Sequence, residues 1–354
     1  MKSSSSWGRA GIPGLLGRLG LPERACALGA RHAGVLLALV ALLAPALAVA
    51  QSAASWPARP IRVVVPYAAG GYYDSIARIT APRLAEALGQ PVVVENRVGA
   101  SGIIGTEYVA KAAPNGYTVM VGGIGPHSIN PSLFATLPYD PVRDFAPVIL
   151  VAVTPNVLVV HPSATWASLS DLLASERARS GAMNYGSAGS GTSAHLAAEM
   201  FAAAAGIRMT HIPYKGSGPA VLAMVAGETD LLFGTATDVL QQIRGGKLRA
   251  LAVTSARRLA ALADVPTLGE AGVANAVAAG WYGYFAPAGT PRDVIQTLNE
   301  ALNRILQMPA AREQLAVQDT SEVVGGTPEQ LAGFLQTEIL KWREVVRRSG
   351  AKAD

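Results

Sequence analysis

Cysteine is almost missing from this chain: 354 residues contain one, Cys26, and it lies in an N-terminal stretch that reads as a leader. The remainder therefore excludes thiol catalysis, cysteine-based zinc sites and any need for disulfides. Excess charge is missing too. Residues 1 to 50 hold Lys2, Arg9, Arg18, Arg24 and Arg31, five of the 29 Lys+Arg, and Glu23, one of the 24 Asp+Glu; 24 against 23 remain, a net +1. A nearly neutral chain carries no footprint for nucleic acid or an acidic membrane. His127, His161, His195 and His211 stand apart, with no H-x-x-x-H spacing, and no carboxylate pair can be picked out. No metal, no cofactor and no glycosidase chemistry are expected.

What the N-terminus does contain is a basic segment, Met1 to His32, followed by the uncharged run AGVLLALVALLAPALAVA, Ala33 to Ala50. Ala48-Val49-Ala50 is a small-x-small site, so residues 1 to 50 read as a signal peptide cleaved near Ala50, and the protein as periplasmic. An uncleaved anchor is the alternative, since 18 apolar residues can just span a bilayer.

Beyond Arg59, β-branched runs alternate with alanine- and leucine-rich stretches. Strands are expected at 61–65, 91–96, 117–123, 156–160, 183–187, 209–213, 229–233 and 248–254, and helices at 75–88, 103–112, 169–178, 193–205 and 219–226. Strands apolar on both faces and separated by helices predict mostly parallel sheets covered on both sides, an α/β class. Two small sheets fit better than one. The chain crosses near Val160 and again near Trp281, giving a discontinuous first domain, 58–160 plus 281–354, and a second, 161–280. Two C-terminal helices begin with Thr290-Pro291 and Thr327-Pro328, each threonine read as the N-cap.

Three strand-turn-helix loops carry the candidate chemistry. In VVVPYAAGGYYDSIARI the turn offers Tyr67, Gly70, Gly71, Tyr72 and Asp74, with unpaired first-turn amides at the positive end of a helix dipole. It lacks the Lys-Ser/Thr of a P-loop and the G-x-G-x-x-G of a dinucleotide site. Asp74 suits a first-turn helix carboxylate equally well. In NYGSAGSGTSAH, Ser187, Gly191, Thr192, Ser193 and His195 surround a helix start, where Thr192 or Ser193 doubles as N-cap. An exported serine hydrolase using Ser187 or Ser190 with His195 as base is the competing reading, weakened because no G-x-S-x-G elbow surrounds either serine. HIPYKGSGPA adds Lys215, whose ordinary reading is a solvated side chain.

These motifs, with ALGQPVVVENRVGASGIIGTEYVAKAAPNGYTVMVG, INPSLFATLPYDPVRDFAPV, GKLRALAVTSARR, DVPTLGEAG and WYGYFAPAGTP, occur in the order found in the Bug-type tripartite tricarboxylate transporter receptors, which nearly all of the chain beyond the leader resembles. The resemblance implies a two-domain type II periplasmic-binding (Venus flytrap) fold and no enzymatic activity. It also implies a small carboxylate ligand delivered to membrane permease subunits by a monomer, or presented to a membrane sensor instead. Site residues carried over are Tyr67, Gly70, Gly71, Tyr72 and Asp74 from one loop and Ser187, Gly191, Thr192, Ser193 and His195 from the other. Tyr214 and the segment Thr235 to Asp238 form the far wall. Ala69, Tyr72 and Tyr73 depart from the family's usual turn, and the paired tyrosines suggest an aromatic or compact carboxylate.

Overall fold

The computed structural model describes residues 56–179, 183–214, 216–274, 276–318 and 320–351. The leader with its cleavage site, and Lys215, lie outside the described residues. Trp56 onward forms one compact unit.

The element order is β1 (Ile61–Val65), α1 (Tyr72–Leu88), β2 (Val92–Asn96), α2 (Ile103–Ala110), β3 (Thr118–Gly123), a π-helical turn (Gly125–Ile129), α3 (Asn130–Leu133), β4 (Phe145–Val160), α4 (Leu169–Arg179), β5 (Asn184–Ser187) and α5 (Ser193–Ala205). There follow β6 (Thr210–Pro213), α6 (Ser217–Val225), β7 (Leu231–Thr235), α7 (Ala236–Arg244), β8 (Arg249–Val253), β9 (Ala279–Pro287), α8 (Arg292–Gln307), α9 (Pro309–Ala316), β10 (Glu322–Val323) and α10 (Pro328–Ser349). The expected strands are all present within a residue or two, except that 156–160 is only the end of β4.

The sheet runs β2-β1-β3-β9-β4-β7-β5-β6, with β8 and β10 also on β4. Outer strands pair in parallel: β1 with β2 and β3, β5 with β6 and β7. The two long central strands, which the sequence did not reveal as a pair, run antiparallel to their neighbours. β4 pairs with β9 from Phe145 to Pro155 and with β7 from Asn156 to Val160. At that change of partner the buried Thr254 hydroxyl donates to the Asn156 carbonyl at 3.0 Å, and also reaches the Ala278 carbonyl.

Val63, Val64 and Val65 are fully buried, as expected of a strand covered by helices on both faces. One core packs β1, β3 and the β4–β9 pair under α1, α8 and α9; a second packs the end of β4 and β7 under α6 and α7. A third runs from Leu158 and Phe233 through Phe201 of α5 to Trp281 and Trp342 of α10. Helix ends follow local chemistry. Gly89 and Gly206 close α1 and α5 in the left-handed region, and Thr327 with Gln330 forms a capping box on α10. The expectation for Thr290 is corrected: Pro291, extended at φ −53° and ψ 142°, is the N-cap of α8, and the Thr290 hydroxyl donates to the Pro287 carbonyl at 2.7 Å. α1 begins at Tyr72, three residues earlier than expected, because Gly71 takes the cap position.

Candidate functional site

The first wall is the turn from β1 into α1. Gly70 and Gly71 are exposed, and Gly70 sits at φ +89°, where side chains are strained. The turn is held from beneath by Asp74, which is 3% exposed. Its carboxylate accepts from the Gly70 amide (2.9 Å), Arg78 Nε (2.8 Å) and Asn96 Nδ2 (2.9 Å), and Asn96 also donates to the Tyr67 carbonyl (3.0 Å). Burial alone would raise the Asp74 pKa; the hydrogen bonds from Arg78, Gly70 and Asn96 outweigh it and hold the carboxyl below its ordinary value. Asp74 is placed as the brace of the turn, with its acceptor capacity committed to protein donors.

The tyrosines are likewise engaged. The Tyr72 hydroxyl donates to the Leu315 carbonyl and lies beside the Thr154–Ser321 hydroxyl pair; burial pushes its pKa up to about 12 against the pull of those two hydroxyls. Tyr73 packs between Tyr67 (centroids 4.6 Å apart) and Tyr282 (4.7 Å), and Tyr282 also meets Tyr72 edge-on at 4.8 Å. The buried Tyr73 hydroxyl has no hydrogen bond of ordinary geometry among the described residues, although the Gly125 backbone lies close enough to act on it. Tyr67 donates to the Ser101 carbonyl at 3.2 Å. Opposite outcomes are therefore expected for two similar substitutions. Tyr72→Phe costs about 1 kcal/mol by stranding a carbonyl, whereas Tyr73→Phe is neutral or stabilising because it removes an unpaired buried group. Urea denaturation of both variants decides, and equal losses would refute the distinction.

The second wall is the loop from β5 into α5. Ser187 is fully buried, its Oγ 2.6 Å from His211 Nε2 and accepting from the Gly189 amide at 3.1 Å. The Ser187–His195 dyad considered from sequence is corrected: the serine's partner is His211, 24 residues on. His195 Nδ1 instead accepts from the Gly191 amide (2.9 Å), and its ring stacks on His211 at 4.0 Å. Thr192 is the N-cap of α5, accepting from the His195 amide at 3.4 Å and donating to the Gly189 carbonyl at 2.7 Å. Gly191 (φ +73°) admits no other residue without cost, since a Cβ there would fall 2.1 Å from Leu133 Cδ2. Ser193 opens α5 with its hydroxyl unbonded among the described residues.

The third wall joins β6–α6 to β7–α7. The Tyr214 amide donates to the Ser187 carbonyl (3.0 Å), and its ring lies against Gly186. Burial, then Glu228, raises its pKa. Thr235 is the N-cap of α7 and Asp238 lies in that helix's first turn. Asp238 is itself exposed, yet the protein packed around its carboxyl partly desolvates it and raises its pKa in spite of the hydroxyls of Ser217, Thr237 and Thr235 around it. Asp238 in turn helps to raise the pKa of Tyr282, after burial and Tyr72, so this wall stands near the aromatic cluster of the first. Tyr282 was missed from sequence; nothing in WYGYFAPAGTP separates it from a core aromatic. Among the described residues no group of three or more His, Cys, Asp or Glu could hold a metal ion, and no helix is long and apolar enough to cross a membrane.

Residues 76–351 match the family described as "Tripartite tricarboxylate transporter family receptor". The chain belongs to that family. Protein BugT of Bordetella pertussis is 40% identical over 320 residues, which are 90% of this chain and 96% of BugT. A protein of R. palustris solved with adipate is 36% identical, with a TM-score of 0.76 over 84% of this chain and 99% of that one. MatC from Rhodopseudomonas palustris, solved with bound malate, is 33% identical, with a TM-score of 0.72 over 82% and 100%. The fold of this family receptor is that of the type II periplasmic binding proteins. The family match begins at Ile76, just inside α1, and so takes in the second and third walls but not the glycine turn that precedes it.

Proposed function

We propose that this receptor captures a small carboxylate in a cleft between the 58–160 plus 281–354 part and the 161–280 part, and delivers it as a monomer to membrane permease subunits. The observation that carries the reading is the pairing of two helix starts, α1 behind Gly70-Gly71 and α5 behind Gly191-Thr192, on loops that spend no charged side chain on a ligand. First-turn amides, the Ser193 hydroxyl and helix dipoles suffice for a carboxylate. The relatives solved with adipate and malate fit the same chemistry. Tyr67, Gly70, Gly71 and Tyr72 form one jaw, with Asp74 holding it, and Gly191, Thr192, Ser193 and His195 the other, with the buried Ser187 holding it from beneath. Tyr214, Thr235 and Asp238 complete the wall. The engaged states of Tyr72 and Tyr73 remove the support for an aromatic ligand.

Closure uses the place where β4 changes partners, Pro155–Asn156, together with the returning strand at Ala278–Gly280. A catalytic use of Ser187 has little to stand on, since that side chain is fully buried. A thermal-shift series of C3 to C7 mono- and dicarboxylates, malate and adipate included, tests the reading. A ligand at a hundred times its Kd stabilises the bound state by about 2.7 kcal/mol, a readily measured rise in midpoint. A flat response to the whole series would sink the proposal.

A further inference from the structure

The wall facing the glycine turn carries an acid that a carboxylate-binding cleft would not need. Asp238 shares a crevice with Ala188 and Ala194 of the second loop and with Ser217 and Thr235. Its Oδ1 accepts from the Thr237 hydroxyl at 3.4 Å, and no cation among the described residues acts on it. Two neighbouring polar groups lack hydrogen-bond partners among the described residues. Tyr282, 7% exposed and close enough to feel the Asp238 charge, makes no hydrogen bond through its hydroxyl among the described residues. Asn156, 1% exposed, is the cross-strand partner of Thr235, and neither its Nδ2 nor its Oδ1 has a hydrogen-bond partner among the described residues. Paired residues on neighbouring strands share a sheet face, so this amide stands on the side that Thr235 presents.

A buried amide with both ends unpaired is rare, and points to a group that is met in another state. A second ligand carboxylate brought to Asp238 meets a like charge, whereas an N–H or O–H meets an acceptor strengthened by charge. We propose that Asp238, with Ser217, Thr235, Asn156 and Tyr282, reads a hydrogen-bond donor at the end of the ligand remote from its carboxylate. The preferred ligand is then an amino- or hydroxy-carboxylate rather than a plain dicarboxylate. This inference rests on the carboxylate-receptor reading above.

Calorimetry on the purified protein with chain-matched probes tests it: 4-aminobutanoate against succinate, 5-aminopentanoate against glutarate, 6-aminohexanoate against adipate, and the corresponding ω-hydroxy acids. In at least one chain length the donor-bearing acid is expected to bind about tenfold tighter than the dicarboxylate, and Asp238→Asn to reduce that ratio by about 10- to 100-fold. Asparagine is well tolerated at a helix start, so the melting temperature of the variant should hold. Tyr282→Phe supplies a second variant, expected to lower affinity for the donor-bearing acids several-fold and for the dicarboxylates less. Dicarboxylates binding tighter at every length, or a ratio unchanged in Asp238→Asn, overturns the inference and leaves the receptor reading standing. Failure of every probe in all three series overturns both.

Discussion

Lowering the pH from 6.5 to 4 is expected to destabilise the protein by about 3 kcal/mol through His127 alone, at roughly 1.4 kcal/mol per pH unit. His127 lies in the π-helical turn after β3, fully buried, stacked on Phe285 at 4.1 Å and edge-on to Phe145 at 4.9 Å. Among the described residues its Nδ1 receives only a long bond from the Gly123 amide, 3.4 Å, and its Nε2 has no partner. Burial pulls its pKa down to about 3. The ring therefore stays neutral in the folded protein while the unfolded chain takes up a proton near pH 6.5. Between those values the unfolded state binds more protons, so stability is complete above pH 6.5 and is lost as the pH falls towards 3. Three kcal/mol is a large part of an ordinary domain's 5 to 15. Urea midpoints at pH 7.5, 6, 5 and 4 for wild type and His127→Gln check it. The variant starts lower but should show a shallower slope, and parallel slopes would refute the assignment.

That histidine could not be read from the sequence as anything but isolated, and the reason applies to much of the site. What was legible was local. IRVVV gave β1 to the residue, because four of its five positions are buried and β-branched or isoleucine-like in shape. Helix 193–205 was also placed to the residue, because Thr192 caps its start and Gly206 ends it in the left-handed region. β4 was half seen: Pro147 and Pro155 interrupt an otherwise apolar run, the first at an irregularity in the register against β9 and the second at the end of that pairing, where β4 changes partner. β9 carries two glycines and ends in proline, a composition that argues against a central strand until its two neighbours are known.

The loops that form the candidate site were legible, but the employment of their side chains was not. Glycines and small hydroxyl residues after strands mark places where backbone can approach a ligand, and this is a property of a few consecutive residues. The Asp74–Asn96 and Ser187–His211 contacts span 22 and 24 residues, and Tyr72 reaches across 243 to Leu315. Such partners are set by sheet order, which no local pattern encodes. Tyr72 and Tyr73 looked from sequence like ligand-facing rings for the same reason: the residues that occupy them, Thr154, Tyr282, Leu315 and Ser321, all lie 80 or more residues further along the chain.

Asp74→Ala is expected to cost about 2–4 kcal/mol and to loosen the glycine turn. The substitution removes the acceptor of the Gly70 amide, of Asn96 Nδ2 and of Arg78 Nε at one stroke. Bonds to a charged group contribute about 1.5–3 kcal/mol each, but the Arg78 side chain is 54% exposed and regains water, so the sum is discounted. Asp74→Asn keeps the shape and supplies one acceptor, yet turns a donor towards donors; about 2 kcal/mol is expected at pH 7. The charge also predicts a pH window distinct from that of His127. The folded pKa lies below the ordinary 3.8, so the contribution of Asp74 is complete above the unfolded value and is lost as the pH falls through the folded one. The difference between wild type and Asp74→Asn should therefore persist unchanged from pH 7 to about 5 and narrow only below about 4, whereas the His127 slope begins near pH 6.5 and is common to both proteins. Denaturation of the variant and wild type across pH 7 to 3 measures it. A gap that stays constant to pH 3 would mean that Asp74 braces the turn by shape alone, and a gap that closes by pH 5 would mean that the carboxyl is not held low by Arg78, Gly70 and Asn96.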